Sequence, residues 1–265
     1  VITRRGLMGG GLAAGVGAGL ALSIERQLNQ YGSERLPLGG GYAAAGDGWH
    51  ASGSGLVRTI WHVPTTKPWV ALTFDDGPGP KWTPRVLDAL DRADAQATFF
   101  VVGKRLVQHA AVVRDRLQRH EVGNHTWSHC ELGKLDAEKA FDQLDRCHNA
   151  IKQVLGRDAT LMRPPWGHLG GAALVAADRM GYDVTMWSYV MPEQNPDGLV
   201  DDVCANAKPG SILLAHDVGR DSRLAVVDRL DRIVAGLRAA GLELVTVSQL
   251  MAARSADASA VEARA

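Results

Sequence analysis

Between Lys67 and Ala253, short apolar runs alternate with amphipathic helical stretches, and this alternation constrains the fold more than any other property of the chain. Trp69-Val70-Ala71-Leu72-Thr73-Phe74 is a near-continuous apolar run, the pattern of a strand buried on both faces. Thr83-Pro84 then supplies an expected N-cap and a proline at the first helical position, with Val86, Leu87 and Leu90 on one face. Thr98–Val102 is a second β-branched and aromatic run. Asp136 to Leu155 reads as the clearest helix, striped by Phe141, Leu144, Ile151, Val154 and Leu155 and stopped at Gly156. Further strands are expected around Val122, Leu161, Val184–Trp187, Ile212–Ala215 and Leu242–Val247. Helices are expected over Ala172–Met180 and over Leu224–Ala240, the latter closed by Gly241. Roughly seven β-α alternations call for an α/β fold with a parallel sheet and helices outside it. An open doubly wound sheet and a closed or partly closed barrel both satisfy the pattern. In either, a site assembles from the loops at the carboxyl ends of the strands.

The first sixty residues are a different material. They hold 15 of the 30 glycines, and five arginines against three acids, within a chain whose net charge is zero. Thr3-Arg4-Arg5-Gly6-Leu7-Met8, followed by an uncharged Gly/Ala/Leu-rich stretch, has the layout of an export signal and resembles the twin-arginine class; a retained membrane anchor is the alternative. The expected organisation is a leader over 1–25, a Gly/Ala-rich linker over 26–66, a catalytic body over 67–253 and a disordered tail over 254–265. Neutral overall charge gives no electrostatic footprint for nucleic acid. Three cysteines fit neither a disulfide scaffold nor a zinc ribbon.

Four clusters follow strand runs. Thr73-Phe74-Asp75-Asp76-Gly77-Pro78 places two carboxylates at a strand end, where both stay ionised only if compensated; a cation ligated by one would leave the other as a base. The alternative for this cluster alone is a helix-capping acid pair. His125-Thr126-Trp127-Ser128-His129 places histidines at i and i+4, a spacing that on a helical face converges on one metal, although alone it is more often incidental. With an Asp from another loop it makes a His₂Asp site with room for water, the open pattern of catalytic metal centres. Arg163-Pro164-Pro165-Trp166-Gly167 offers a permanent positive fork on a rigid turn. Ile212-Leu213-Leu214-Ala215-His216-Asp217 delivers His216 at a strand end, where it can donate a proton to a leaving group.

Taken together and in order, these motifs resemble those of the polysaccharide deacetylases of carbohydrate esterase family four, the NodB-homology domain. The resemblance spans about Trp69 to Leu250. It implies a distorted, incomplete (β/α) barrel of about seven parallel strands with outer helices. It implies Asp76, His125 and His129 as ligands of a divalent metal, zinc foremost, with Asp75 as general base, Arg163 as its orienting partner and His216 as general acid. The Trp166 backbone N–H would stand in an oxyanion hole, with Pro165 beside it against the substrate. Where the family has Trp-Ser-x-Asp-x-x-Asp-Trp, this chain has Trp187-Ser188-Tyr189-Val190-Met191-Pro192-Glu193-Gln194. Val190 replaces the first Asp, Glu193 could replace the second, and Gln194 replaces the aromatic. His168 is a candidate supplement to the site or a solvent-facing loop residue, and Cys130 beside His129 reads as packing.

The implied activity is metal-dependent removal of N-acetyl groups from a peptidoglycan or chitin-like glycan, releasing acetate. An O-acetyl xylan esterase and a non-catalytic glycan-binding relic are the alternatives. An acetylated glycan is the expected partner, with an N-terminal membrane tether, no nucleic acid and no protein partner. The expected location is extracellular or in the cell envelope.

Overall fold

The structure is a computed structural model that describes residues 56–192 and 197–262. Its strands are β1 (Thr59–Ile60), β2 (Trp69–Asp75), β3 (Thr98–Val101), β4 (Glu121–Asn124), β5 (Leu161–Met162), β6 (Asp183–Thr185), β7 (Tyr189–Val190), β8 (Ile212–His216) and β9 (Glu243–Val245). They form one sheet in the order β1-β6-β5-β4-β3-β2-β8-β7, with β9 also on β2, and every strand pairing is parallel. All-parallel pairing requires a crossover between strands, and the helices supply most of these: α1 (Thr83–Arg92), α2 (Gly103–Gln108), α3 (Ala110–Val113), α4 (Ala137–Leu155), α5 (Gly171–Met180), α6 (Leu199–Asn206), α7 (Leu224–Asp228), α8 (Leu230–Ala239) and α9 (Val247–Glu262).

The sheet curls almost shut. The stretch from Asp183 to Val190 begins as β6 against β5 and ends as β7 against β8, so one segment touches both ends of the sheet. The N-terminal segment lies along the same seam. Arg58 O and Ile60 O accept from Val184 N and Met186 N at 2.8 and 2.7 Å, and Val63 N donates to Gly210 O at 3.0 Å. This is an incomplete barrel rather than an open doubly wound sheet. The seven expected strands are all present; the two that sequence reading missed, β1 and β7, are each two residues long and lie on this seam.

Central β2 is buried from Val70 to Asp75, as its unbroken apolar run requires. Helix α4 begins at the Asp136 cap, whose side chain accepts from Lys139 N at 2.8 Å, and ends at Gly156 with φ 72°. Its buried face, including Leu144, Cys147 and Ile151, packs on the sheet and on α5.

Four expectations are corrected. Thr83 is the first residue of α1 and not its cap: Trp82 holds the cap position, because the Thr83 hydroxyl is committed to the buried Asp217 carboxyl at 2.6 Å. The helix expected over Leu224–Ala240 is broken at Arg229 into α7 and α8. The fold starts before Lys67, since β1 pairs with β6. The stretch expected to be a disordered tail continues α9 to Glu262. The leader expected over 1–25, most of the linker, and Glu193 and Gln194 lie outside the described residues. No helix among the described residues is long and apolar enough to cross a membrane.

Candidate active site

Parallel strands deliver their carboxyl ends to one side, and Asp75, His125, Arg163 and His216 all stand at or just past such ends. Asp75 closes β2 and is 3% exposed. Asp76 leaves the strand in the left-handed region, φ 77°, which turns its carboxylate away from its neighbour's direction. Gly77 is required at the next position, since a Cβ there would lie 2.2 Å from Asp217 Oδ2.

Asp76 Oδ1 lies 2.9 Å from His129 Nε2 and 3.4 Å from His125 Nε2, and the ligand atoms of the three residues all fall within 4.8 Å of one another. The donor chemistry fits a metal. His125 Nδ1 is 2.7 Å from Arg163 O, which can only accept, so that nitrogen carries the proton and Nε2 presents its lone pair to the cluster. Burial opposes charge on both groups. Even so, the two histidines hold Asp76 well below the usual carboxylate range, while Asp75 and Asp76 draw the His125 pKa upward. Each group is set to exchange a shared proton for a cation.

The His125–His129 segment is not helical, contrary to the i, i+4 argument. Thr126 and His129 have φ of 68° and 57°. Gly103 N and Lys104 N of α2 donate to Thr126 O and Trp127 O, and Trp127 N donates to Gln143 O of α4. With those groups bonded outward, no helical ladder forms, and the histidines converge through a turn stapled between two helices.

Arg163 is the largest side chain fully buried among the described residues. Its Nη1 donates to Asp75 Oδ1 at 2.7 Å and to Thr73 Oγ1 at 2.8 Å. Its Nε and Nη2 donate to Thr185 O at 3.0 Å and Met186 O at 2.8 Å. The guanidinium also lies 4.1 Å from the centre of the Phe100 ring. Burial depresses its pKa and Asp75 opposes the shift, but an arginine stays charged in either case. With Oδ1 held, Asp75 Oδ2 is the oxygen that faces the Asp76–His125–His129 cluster, 3.9 Å from His125 Nε2. His216 lies in register beside Asp75 on the neighbouring strand, half-buried.

Trp166 has φ 56°, is 57% exposed, and sets its ring edge-on to His129 at 4.5 Å between centroids; Pro165 before it is buried. His168 is outside the cluster. Its Nδ1 pairs with Glu131 Oε1 at 3.0 Å on the rim of a small open pocket of about 270 Å³. Cys130 is not among the clustered donors, and burial pushes its thiol pKa up. In the altered fourth motif, Tyr189 OH donates to Asp202 and Val190 is exposed.

Three residues beside the cluster have contacts that the sequence reading did not assign: Asn124 and Asp217 flank its motifs without a role, and Arg223 lies outside them. Buried Asn124 donates to Leu144 O at 2.7 Å and Tyr182 OH at 3.0 Å and accepts from Thr126 N at 2.9 Å, which anchors the histidine loop. Its only signal was its place at a strand end, directly before His125. Asp217 is 1% exposed and its pKa is pushed up to about 7, mainly by burial against the Thr83 hydrogen bond, with the charges of Asp76 and Asp75 adding to the rise. Arg223, from the turn after β8, places Nη1 2.6 Å from Asp76 Oδ2; nothing in its spacing distinguishes it from a surface arginine.

The family profile described as polysaccharide deacetylase matches residues 62–185. A peptidoglycan-N-acetylglucosamine deacetylase of Bacillus cereus is 38% identical over 198 residues, covering 72% of this chain and 92% of its own. The peptidoglycan-N-acetylmuramic acid deacetylase PdaC of Bacillus subtilis is 38% identical over 186 residues, covering 68% of this chain and 38% of that longer protein. Among solved structures, the crystal structure of a peptidoglycan N-acetylglucosamine deacetylase superposes with a TM-score of 0.69 at 29% identity, covering 72% of this chain and 92% of that one.

Proposed function

The chain belongs to the polysaccharide deacetylase family, and on that premise we propose that it removes N-acetyl groups from a bacterial cell-wall glycan of the peptidoglycan type, at the cell envelope after export. The observation that carries this reading is one cluster of groups: Asp76, His125 and His129 within ligand distance, with the Arg163-held Asp75 beside them and His216 in register with it.

Asp76, His125 and His129 are the residues that would hold a divalent cation, zinc by their two imidazoles and single carboxylate. The cation would supply Lewis acidity to the acetyl carbonyl and to the attacking water. Asp75 is the general base. Its Oδ2 takes a proton from that water as oxygen attacks the carbonyl carbon, and Arg163 fixes its direction through Oδ1. The Trp166 N–H is assigned to the negative charge that develops on the carbonyl oxygen. The Trp166 ring offers the sugar an exposed aromatic face beside the metal ligands. His216 then donates a proton to the departing nitrogen. An amine leaves only when protonated, so the C–N bond breaks to give acetate and a free amino sugar.

Acetate release should be measured on peptidoglycan, chitin oligomers and acetylated xylan, with and without chelator, for the wild type and for Asp75→Asn. Release from the N-acetylated glycans should be abolished by chelator and restored by zinc. Asp75→Asn should retain bound metal and lose turnover by about 10²–10⁴-fold. No release from any N-acetylated glycan by metal-loaded wild type sinks the deacetylase reading, and a near-normal rate in Asp75→Asn sinks the base assignment.

A further inference from the structure

Asp76 has two carboxylate oxygens, and the structure gives them different work. Oδ1 faces His125 and His129 at 3.4 and 2.9 Å. Oδ2 faces the other way and is bonded to Arg223 Nη1 at 2.6 Å, and the same nitrogen donates to Val218 O at 2.9 Å. The pair is sheltered, with side-chain exposures of 20% for Arg223 and 15% for Asp76. A charge-assisted bond of this length in a sheltered site is among the stronger polar contacts a protein makes.

The backbone makes room for this contact. Gly219 has φ 140°, and a Cβ there would lie 2.7 Å from both Arg223 Cδ and Arg223 Nη1. The guanidinium reaches Asp76 across a position where any larger residue would displace it. The loop after β8 therefore spends a glycine and an arginine on one oxygen of one metal-ligand carboxylate.

The geometry points to Arg223 as a positioning residue that determines metal choice, by keeping Asp76 Oδ2 out of the ligand set. This inference rests on the metal-site reading above. Two imidazoles and one carboxylate oxygen make a small, nitrogen-rich donor set, which suits zinc. Released from Arg223, Asp76 would offer both oxygens, and the set would become larger and richer in oxygen, which suits Mn²⁺ better. The arginine's positive charge also disfavours any cation nearby, so its removal alters absolute affinity in a second way. That electrostatic contribution is the same for two ions of equal charge at one place, so it cancels in the ratio of their affinities. The ratio isolates the positioning effect.

Metal-stripped wild type, Arg223→Ala and Gly219→Ala should be titrated with Zn²⁺ and with Mn²⁺ against a chromophoric chelator, to give the ratio of the two dissociation constants. Gly219→Ala keeps the arginine's charge while pushing its side chain off Asp76. Both variants should favour Mn²⁺ over Zn²⁺ by about tenfold more than wild type does, the scale of other contacts that orient a metal ligand. Thermal melting of the metal-free proteins identifies a variant that fails to fold, and the other then decides. Ratios within twofold of wild type in the folded variants overturn the inference. A wild type that binds neither ion overturns the metal-site reading itself, a separate result.

Discussion

His120 shows how a single side chain ties stability to pH at the end of the sheet away from the site. It precedes β4, is 2% exposed, accepts from Ala97 N through Nδ1 at 3.3 Å, and lies edge-on to Phe99. Its Nε2 has no hydrogen-bond partner among the described residues. Burial lowers its pKa from 6.5 to about 4, against a weaker upward pull from Asp91. Between those values the unfolded chain binds the proton and the folded chain does not. Its contribution to stability is therefore complete above pH 6.5 and is lost as pH falls toward 4, by up to about 3 kcal/mol. Buried Asp217, with its pKa raised to about 7, contributes in the opposite sense over the same range, so the test is a difference. Between pH 7 and pH 4.5, urea unfolding of the metal-free protein should change less favourably for wild type than for His120→Gln, by most of that amount. Equal pH slopes in the two proteins would show that His120 is not the titrating group.

At the scale of elements, what was legible from sequence depended on whether local rules decided the outcome. Helix α4 was legible because its stripe and its Gly156 stop agree; Asp136, read as its first residue, is its cap. Asp136→Ala should remove the cap to Lys139 N and cost about 0.5–2 kcal/mol, read as a lower melting temperature with metal content unchanged. A melting temperature equal to wild type would mean that tertiary packing alone sets the helix start. The histidine turn is the opposite case. Its donor residues were legible, but its backbone path was not. The partners of its N–H and C=O groups lie on α2 and α4, and no spacing within the segment reveals them. Arg223 and Asp217 were hidden for the same reason. Their roles come from contacts with Asp76 and Thr83, 147 and 134 residues away in sequence.

For the whole molecule, the informative region is the seam where the sheet nearly closes. Thr185 at the end of β6 and Met186 just after it each pass a carbonyl to Arg163, and β1 in turn bonds the backbone of β6 on its other side. Deleting residues 1–62 would remove the carbonyls of Arg58 and Ile60 and the exposed Arg58–Asp183 pair, the last worth little. Those two backbone bonds alone should cost about 1–3 kcal/mol. The rest of the β1–β6 ladder, the His62 contacts and the packing of Ile60 go with them, so the melting temperature should fall by roughly 5 °C or more. Acetate release should fall as well, because Thr185 and Met186 orient the arginine that orients Asp75. A truncated protein with unchanged melting temperature and rate would show that β1 is dispensable. The burial of Arg163 has one more consequence. A permanently charged group inside the sheet is tolerable only with all its hydrogen-bond partners in place, and those partners come from β2, from the last residue of β6 and from Met186 after it. A half-assembled chain cannot keep Asp75, the proposed base, aimed. Specific activity should therefore act as a quality check on folding, counting finished barrels and ignoring the rest.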